Sequence, residues 1–341
     1  MSRPDVVIAS YLEPDLVERI AAADPRVRVH YHPDLLPQPR WPSDHIGTPR
    51  ELTPEQDQRW TALLGDAEVM FDFDWRRPGE TMAQSPKLRW VQATSAGVGA
   101  KMADLGLRHR PLTVTTASGV HADPLAEFAL AGILYFARGL PRLAADRAAR
   151  RWRANATSEL AGRHALIVGA GRIGTRIAEV LAVFGVTSTG MTRTPRELGP
   201  PFTTAATREE LSDHLAAADI LVIAAPMTDE TQAMIGAREL AALPDGAIVV
   251  NVGRGGTVDE DALVDALRAG RLGGAVLDVT RTEPLPEESP LWTLDGVVLS
   301  PHTAANTPSE NAKIVDIFVD NLRRYLDGQP LRNLYDHDAG Y

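Results

Sequence analysis

Three side chains in the second half of this 341-residue chain have the types needed for acid–base work on a carboxylate-bearing molecule. Arg254 lies in NVGRGGTVDEDAL, Glu283 in LDVTRTEPLP and His302 in LSPHTAANT. An arginine fork grips a carboxylate through two parallel hydrogen bonds. An imidazole that titrates near neutrality gives or takes a proton on a substrate oxygen. A glutamate beside it holds the ring and favours its charged form. Each residue alone is ordinary: a histidine after a strand is usually structural, an arginine is usually a salt-bridge partner, and Glu-Pro is a common turn. Together, each after a strand of one domain, they form a unit. Next to a nicotinamide, that unit would couple hydride transfer to proton transfer on a 2-oxo acid.

The elements that must position these residues radiate from the stretch His164 to Arg193. An apolar run, Ala165 to Val168, is followed by Gly169, Gly171 and Gly174 in G-x-G-x-x-G spacing. Ile173, Ile177, Val180, Leu181 and Phe184 then recur at helical spacing, and a second strand-like run starts at Val186. Strand, glycine turn, helix and strand are the context that gives this motif meaning. Gly169 permits the turn, Gly171 lets a pyrophosphate approach the backbone, and Gly174 lets helix pack on strand. The helix N-terminus, at Arg172 and Ile173, offers N–H groups to phosphate. Further strands are expected near Ile220, Ile248, Ala275 and Val297. In a doubly wound sheet, ligands lie at the carboxyl ends of strands. The segments that follow these strands are Ala224 to Met227, Asn251 to Arg254, Asp278, and Ser300 to His302.

The first part of the chain reads as another α/β set. Strands are expected at Val6–Ala9, Val27–Tyr31, Ala67–Phe71, Leu88–Gln92 and Pro111–Thr116, with helices at Leu12–Ala23 and from Thr53 or Pro54 to Leu64. Such alternation implies a parallel sheet with helices on both faces. Residues 32 to 54 are rich in proline and form a long irregular segment. The small-residue turn Thr94 to Gly99 exposes backbone amides that suit a carboxylate, although a plain turn explains it equally well. After Ser118 to Pro124, a single helix is expected to run to Arg150, with no sheet partner in the pattern. Arg147, Arg150, Arg151 and Arg153 read as a solvated helix end. The last helix spans about Thr307 to Leu326. His30, His32 and Asp34 lack a convincing further ligand, so no metal site is expected.

Composition narrows the classes. A chain of this length suggests two domains. A net charge of −10 without a basic block argues against nucleic acid. With no cysteine, there is no thiolate chemistry and no disulfide. No apolar run approaches the ~20 residues of a membrane span, and the first residues read as a strand rather than a signal peptide. A cytoplasmic protein is expected.

The motif set as a whole resembles the D-isomer-specific 2-hydroxyacid dehydrogenase family. GAGRIG at 169–174, APMTDETQAMIG at 225–236, NVGRGGTVDEDAL at 251–263, LDVTRTEPLP at 277–286 and SPHTAANT at 300–307 all match, as do TSAGVG and ASGVHADPLAEFAL earlier. The resemblance covers nearly everything from Leu88 onward. It implies two Rossmann-like, doubly wound parallel-sheet domains. Residues 1–122 and 304–341 would form a flavodoxin-like substrate domain, into which a coenzyme domain, 123–303, is inserted. It implies that Arg254 binds the substrate carboxylate together with the amides of Ala96, Gly97, Val98 and Gly99. It makes His302 the acid/base and Glu283 its partner, and it places Asp278 near the nicotinamide carboxamide. Cofactor contacts would come from Gly169, Gly171, Arg172, Ile173, Gly174, Thr192, Arg193, Thr194, Ala225, Pro226, Val252, Gly253, Arg254, Asp278, His302 and Ala305. Family members are usually homodimers through the long helix and the arm after it. Trp152 lies in that arm, where core packing is the expected role and reach toward a partner the alternative.

Two positions depart from the family pattern. NAD-preferring relatives carry an aspartate where Thr192 stands, and Arg193 and Arg196 follow it here. No carboxylate repels a 2′-phosphate and two guanidinium groups are at hand, so NADP is expected over NAD. Asn306 stands where relatives often carry glycine. The expected activity is reduction of a small 2-oxo acid to the D-2-hydroxy acid, with glyoxylate or hydroxypyruvate as the family-level substrates. The alternative is an NAD(P)-binding regulator of the same fold. Formate oxidation is disfavoured because formate enzymes carry glutamine where Glu283 stands.

Overall fold

A computed structural model describes residues 3–107 and 110–338 of the chain. It divides into two compact units, Met1–His121 with Asn306–Tyr341, and Ala122–Ala305.

The first unit holds β1 (Asp5–Ile8), β2 (Arg28–His30), β3 (Val69–Phe71), β4 (Trp90–Gln92) and β5 (Thr113–Thr115). They pair in parallel in the order β2-β1-β3-β4-β5. The central strands are apolar on both faces, as a sheet covered on both sides requires. The helix Glu310–Leu326 lays Ile314, Phe318 and Leu322 on one face of the sheet. There the Phe318 ring stacks on Trp90 at 5.1 Å and meets Phe71 edge-on at 5.3 Å. The C-terminal segment returns to β5, where the Tyr335 N–H donates to the Val114 carbonyl (2.9 Å). The proline-rich segment braces itself. Asp44 accepts from the Gly47 and Arg40 amides (3.0 Å each) and from Arg40 Nε (2.7 Å). Gly47 has φ +66°, and a Cβ there would sit 2.7 Å from Pro37 Cβ. The Ser43 hydroxyl donates to the Thr307 carbonyl (3.0 Å), tying the segment to the C-terminal part of the unit. The side chains of His30, His32 and Asp34 do not converge: His30 meets Asp5, while His32 and Asp34 meet Arg59.

The second unit holds β6 (His164–Val168), β7 (Thr187–Met191), β8 (Thr204–Ala206), β9 (Ile220–Ile223), β10 (Ala247–Asn251), β11 (Leu272–Leu277) and β12 (Val297–Leu299). The order is β12-β11-β10-β9-β6-β7-β8, again all parallel. The strand order reverses between β6 and β9, and that switch point is where such sheets bind ligands.

The helix expected from Pro124 to Arg150 is instead two. One spans Ala122–Ala137 and the other Leu140–Ala148, bent by 61°. Gly139 between them is left-handed (φ +63°), a conformation that glycine adopts without strain and that ends a helix. The first of the pair also has a sheet partner. It packs on β10 and β11, with Gly132 seated on Val276 and Phe136 on Gly274. β8 was not expected, since three residues of Thr-Ala-Ala carry little strand signal. The four arginines are exposed, as expected, and two of them also converge on buried Asp146: Arg151 Nε lies 3.1 Å and Arg153 Nε 3.2 Å from its oxygens. Trp152 does not pack in a core. It is fully exposed, and Leu140 and Leu143 are exposed as well.

Candidate active site

The glycine turn at the end of β6 has the shape the sequence motif requires. Gly169 is left-handed (φ +101°), and a Cβ there would lie 2.7 Å from the Ala225 amide nitrogen, so the loops after β6 and β9 touch backbone to backbone. A Cβ on Gly174 would strike the Gly169 carbonyl, which keeps the helix Arg172–Val183 close to the turn. Around Gly171 nothing lies within 4 Å of a built Cβ. Gly171 is the N-cap of this helix, and no side chain caps it. An anion approaching this point would meet unshielded backbone N–H groups and the positive end of the helix dipole. Gly253 closes the other flank, where a Cβ would sit 2.6 Å from the Ala225 carbonyl. The residues present therefore fit a dinucleotide.

Arg254 follows β10. Its backbone carbonyl accepts from the Thr257 hydroxyl (2.6 Å) and from Asn251 Nδ2 (3.2 Å), while Asn251 Oδ1 accepts from the Gly253 N–H (3.1 Å). Asn251 and Thr257 are fully buried, so this loop is pinned from below. A Cβ on Gly255 would collide with the Thr280 carbonyl, which brings the Arg254 loop flush against the loop that carries Glu283. Thr280 in turn donates its N–H to Glu283 Oε1 (3.1 Å).

Glu283 Oε2 lies 2.7 Å from His302 Nδ1, with both side chains part-exposed. A carboxylate only accepts, so Nδ1 carries a hydrogen and Nε2 is the nitrogen left for a substrate. His302 is itself left-handed (φ +57°). Asp278 holds it there: the His302 N–H donates to the Asp278 carbonyl (2.8 Å), and Asp278 Oδ1 accepts from the Ser300 hydroxyl (2.8 Å) and the Ala304 N–H (2.9 Å). Thr257 and Thr280 are supporting residues that sequence reasoning did not single out, whereas Asn251 and Ser300 open two of the segments it placed past strands. The only local signal was a polar side chain closing or following an apolar strand.

The electrostatics follow from this packing. The Glu283 hydrogen bond raises the His302 pKa; burial and the Arg254 charge oppose it, and the net shift is upward. Burial alone pushes the Glu283 carboxyl up, but the His302 hydrogen bond and charge, the Thr280 amide and Arg254 together hold it below its ordinary value. Burial pulls the Arg254 guanidinium down, against the charges of Glu283 and Asp278. A guanidinium remains charged throughout the neutral range.

With His302 as the acid for reduction, kcat/KM would fall as pH rises through a pKa lifted above the ordinary 6.5. Glu283→Gln removes the main lifting interaction. Its pH–rate profile should therefore lose activity at lower pH than the native profile. An unmoved basic limb would show that the pair does not govern proton transfer.

The other expected positions are distributed as follows. Arg172, Ile173, Ala225, Pro226, Val252, Gly253 and Ala305 lie at or just past the ends of β6, β9, β10 and β12. Thr192, Arg193 and Thr194 follow β7. Arg193 Nη2 pairs with Glu230 (3.1 Å), and Arg196 Nη2 donates to the Ala170 carbonyl (2.9 Å), so both guanidinium groups already have partners. The turn Ala96 to Gly99 follows β4 in the first unit, where Val98 is buried and Gly97 is exposed.

Comparison with known proteins agrees with the geometry. Residues 130–304 match the family described as D-isomer specific 2-hydroxyacid dehydrogenase, NAD binding domain. A glyoxylate reductase of Aeropyrum pernix is 34% identical, over 76% of this chain and 80% of its own. A hydroxyphenylpyruvate reductase of Plectranthus scutellarioides is 34% identical, over 83% of this chain and 87% of its own. The crystal structure of a D-isomer specific 2-hydroxyacid dehydrogenase from Xanthobacter autotrophicus Py2, in complex with NADPH and MES, is 30% identical. It superposes with a TM-score of 0.80 over 99% of this chain and 100% of that one. A doubly wound nucleotide-binding unit with a histidine–glutamate pair past its strands is that of an NAD(P)-linked oxidoreductase. The chain belongs to the D-isomer specific 2-hydroxyacid dehydrogenase family.

Proposed function

We propose that this protein reduces a small 2-oxo acid to the D-2-hydroxy acid and prefers NADPH. The observation that carries this reading is the 2.7 Å contact between His302 Nδ1 and Glu283 Oε2, close enough to Arg254 for its charge to act on both. When bound, the nicotinamide supplies the hydride. Arg254 receives the substrate carboxylate and orients the 2-oxo group. Nε2 of protonated His302 donates a hydrogen bond to the carbonyl oxygen, polarises it and then gives up its proton. Glu283 stabilises the imidazolium and keeps the ring in register. Asp278 serves the carboxamide end of the cofactor site and fixes the His302 backbone. The turn Ala96 to Gly99 is assigned to the substrate carboxylate on the family resemblance alone.

The names of the two reductases support glyoxylate and aryl-substituted pyruvates as the substrate class, to which the family resemblance adds hydroxypyruvate. A regulator without turnover has less support, because the His302–Glu283 pair and Arg254 are all retained and the named relatives are reductases. The exposed Leu140, Leu143 and Trp152 support a homodimer, for which sedimentation equilibrium is the measurement.

The deciding experiment is initial-rate oxidation of NADPH and NADH against glyoxylate, hydroxypyruvate, pyruvate, phenylpyruvate and a branched 2-oxo acid. Turnover with NADPH preferred is the expected result. Turnover with NADH alone would remove the cofactor preference and leave the chemistry. No turnover with either, despite tight cofactor binding, would favour the regulator.

A further inference from the structure

β7 and β9 are the two strands that flank β6, and the loops after them are joined by one ion pair. Arg193, two residues past β7, places Nη2 3.1 Å from Oε1 of Glu230, which lies in the loop after β9. The pair therefore bridges across the end of β6, from the loop after β7 to the loop after β9. Both side chains are half-exposed, at 51% each, so a ligand entering the crevice can reach either. The loop that carries Glu230 is a closed turn. The Thr228 N–H donates to Thr231 Oγ1 (2.8 Å), and the Thr231 hydroxyl donates to the Pro226 carbonyl (2.8 Å). Glu230 is thus presented from a fixed base.

The surroundings of Arg193 are not uniformly cationic. The cleft beside it, about 440 Å³, is lined by Thr192, Arg196, Glu197, Thr207 and Glu210. Two carboxylates therefore accompany Arg196, and Glu230 is a third carboxylate near Arg193. The sequence pattern alone, with Thr192 followed by two arginines, shows only the attractive half of this balance.

We infer that Glu230 is a residue that sets the choice between phosphorylated and unphosphorylated dinucleotide, acting through its hold on Arg193. The inference rests on the dinucleotide reading above. A 2′-phosphate approaching Arg193 must displace Glu230 from the guanidinium and then lie near its carboxylate. A ribose bearing a free 2′-hydroxyl makes neither demand. Glu230 therefore works against the preference that Arg193 confers and narrows the gap between the two cofactors. Specificity of this kind is a difference of affinities, and a repulsive element contributes to it as much as an attractive one.

The test is binding, independent of turnover. Dissociation constants for NADPH, NADH, 2′,5′-ADP and 5′-ADP are measured by calorimetry on the full-length native protein and on Glu230→Gln, which removes the charge at constant shape. Loss of an exposed ion pair predicts that Glu230→Gln binds NADPH and 2′,5′-ADP about two- to fivefold tighter relative to their unphosphorylated counterparts. Glu230→Lys should move the ratio further in the same direction. Both gains should shrink in 1 M salt, where charges are screened beyond about 3 Å. Glu230→Asp, which keeps the charge, should restore most of the native ratio. A ratio that stays native in Glu230→Gln, or equal changes for both nucleotide types, would overturn the inference, because a loop-positioning role alone gives that pattern. Failure of the native protein to bind either dinucleotide is a separate result, and it would overturn the functional reading together with this one.

Discussion

Replacing His302 with asparagine is expected to lower kcat/KM for 2-oxo acid reduction by about 10²- to 10⁴-fold, the usual contribution of a positioned general acid. Cofactor binding should change far less. The choice of asparagine follows from the backbone. His302 is left-handed (φ +57°), a region in which asparagine is comfortable and alanine is not. The substitution therefore removes the ionisable ring without straining the loop that Asp278 holds. Its amide can still hydrogen-bond Glu283, but it cannot gain and lose a proton near neutral pH. With His302 as the acid, turnover of the variant should accordingly lose the basic limb of the native profile. Full activity in His302→Asn, with a native melting temperature, would assign the proton to another group. Equal losses in turnover and NADPH affinity would make the residue a cofactor contact rather than the acid.

What was legible in the sequence was local. The glycine turn could be read because its three glycines stand at fixed spacing between an apolar strand and a helix; the steric demand at Gly174, against the Gly169 carbonyl, is local, whereas the one at Gly169, against Ala225, comes from the loop after β9. Arg254, Glu283 and His302 could be read because each lies just past an apolar strand, and a doubly wound sheet gathers such positions at one edge. Features that depend on long-range packing were not legible. Helical periodicity continues through Gly139, so the break there was missed: a left-handed glycine changes the chain direction without interrupting the apolar pattern. The sheet partner of the same helix is equally hidden, because nothing in its own sequence says that Gly132 will lie on Val276. Trp152 was expected in a core because tryptophan is usually buried, yet its arm makes no regular structure. The pairing of Arg193 with Glu230, 37 residues apart, depends on β6 inserting between β7 and β9 in the sheet. A reader of the sequence sees two guanidinium groups and cannot see the carboxylate brought to meet one of them.

Replacing Arg254 with methionine should lower kcat/KM by roughly 10²- to 10⁴-fold, because each charge-assisted hydrogen bond to a carboxylate is worth about 1.5–3 kcal/mol and the fork makes two. Methionine keeps the length and apolar stem of the side chain, and the Asn251 and Thr257 contacts to the Arg254 backbone remain, so the loop should hold. Arg254→Lys keeps the charge but loses the paired geometry and should fall between the two. Substrate binding is only half of the expectation. The Arg254 charge lowers the His302 pKa, against the lift from Glu283. Removing it should therefore move the basic limb of kcat/KM to higher pH, opposite in direction to Glu283→Gln. A pair of variants that displace one limb in opposite directions, one with a large rise in KM and one without, would place both charges on the same imidazole. If Arg254→Met leaves the limb where it was and affects KM alone, the arginine binds substrate without reaching the acid. If it leaves KM alone as well, the carboxylate is held elsewhere, and Ala96 to Gly99 becomes the first place to look.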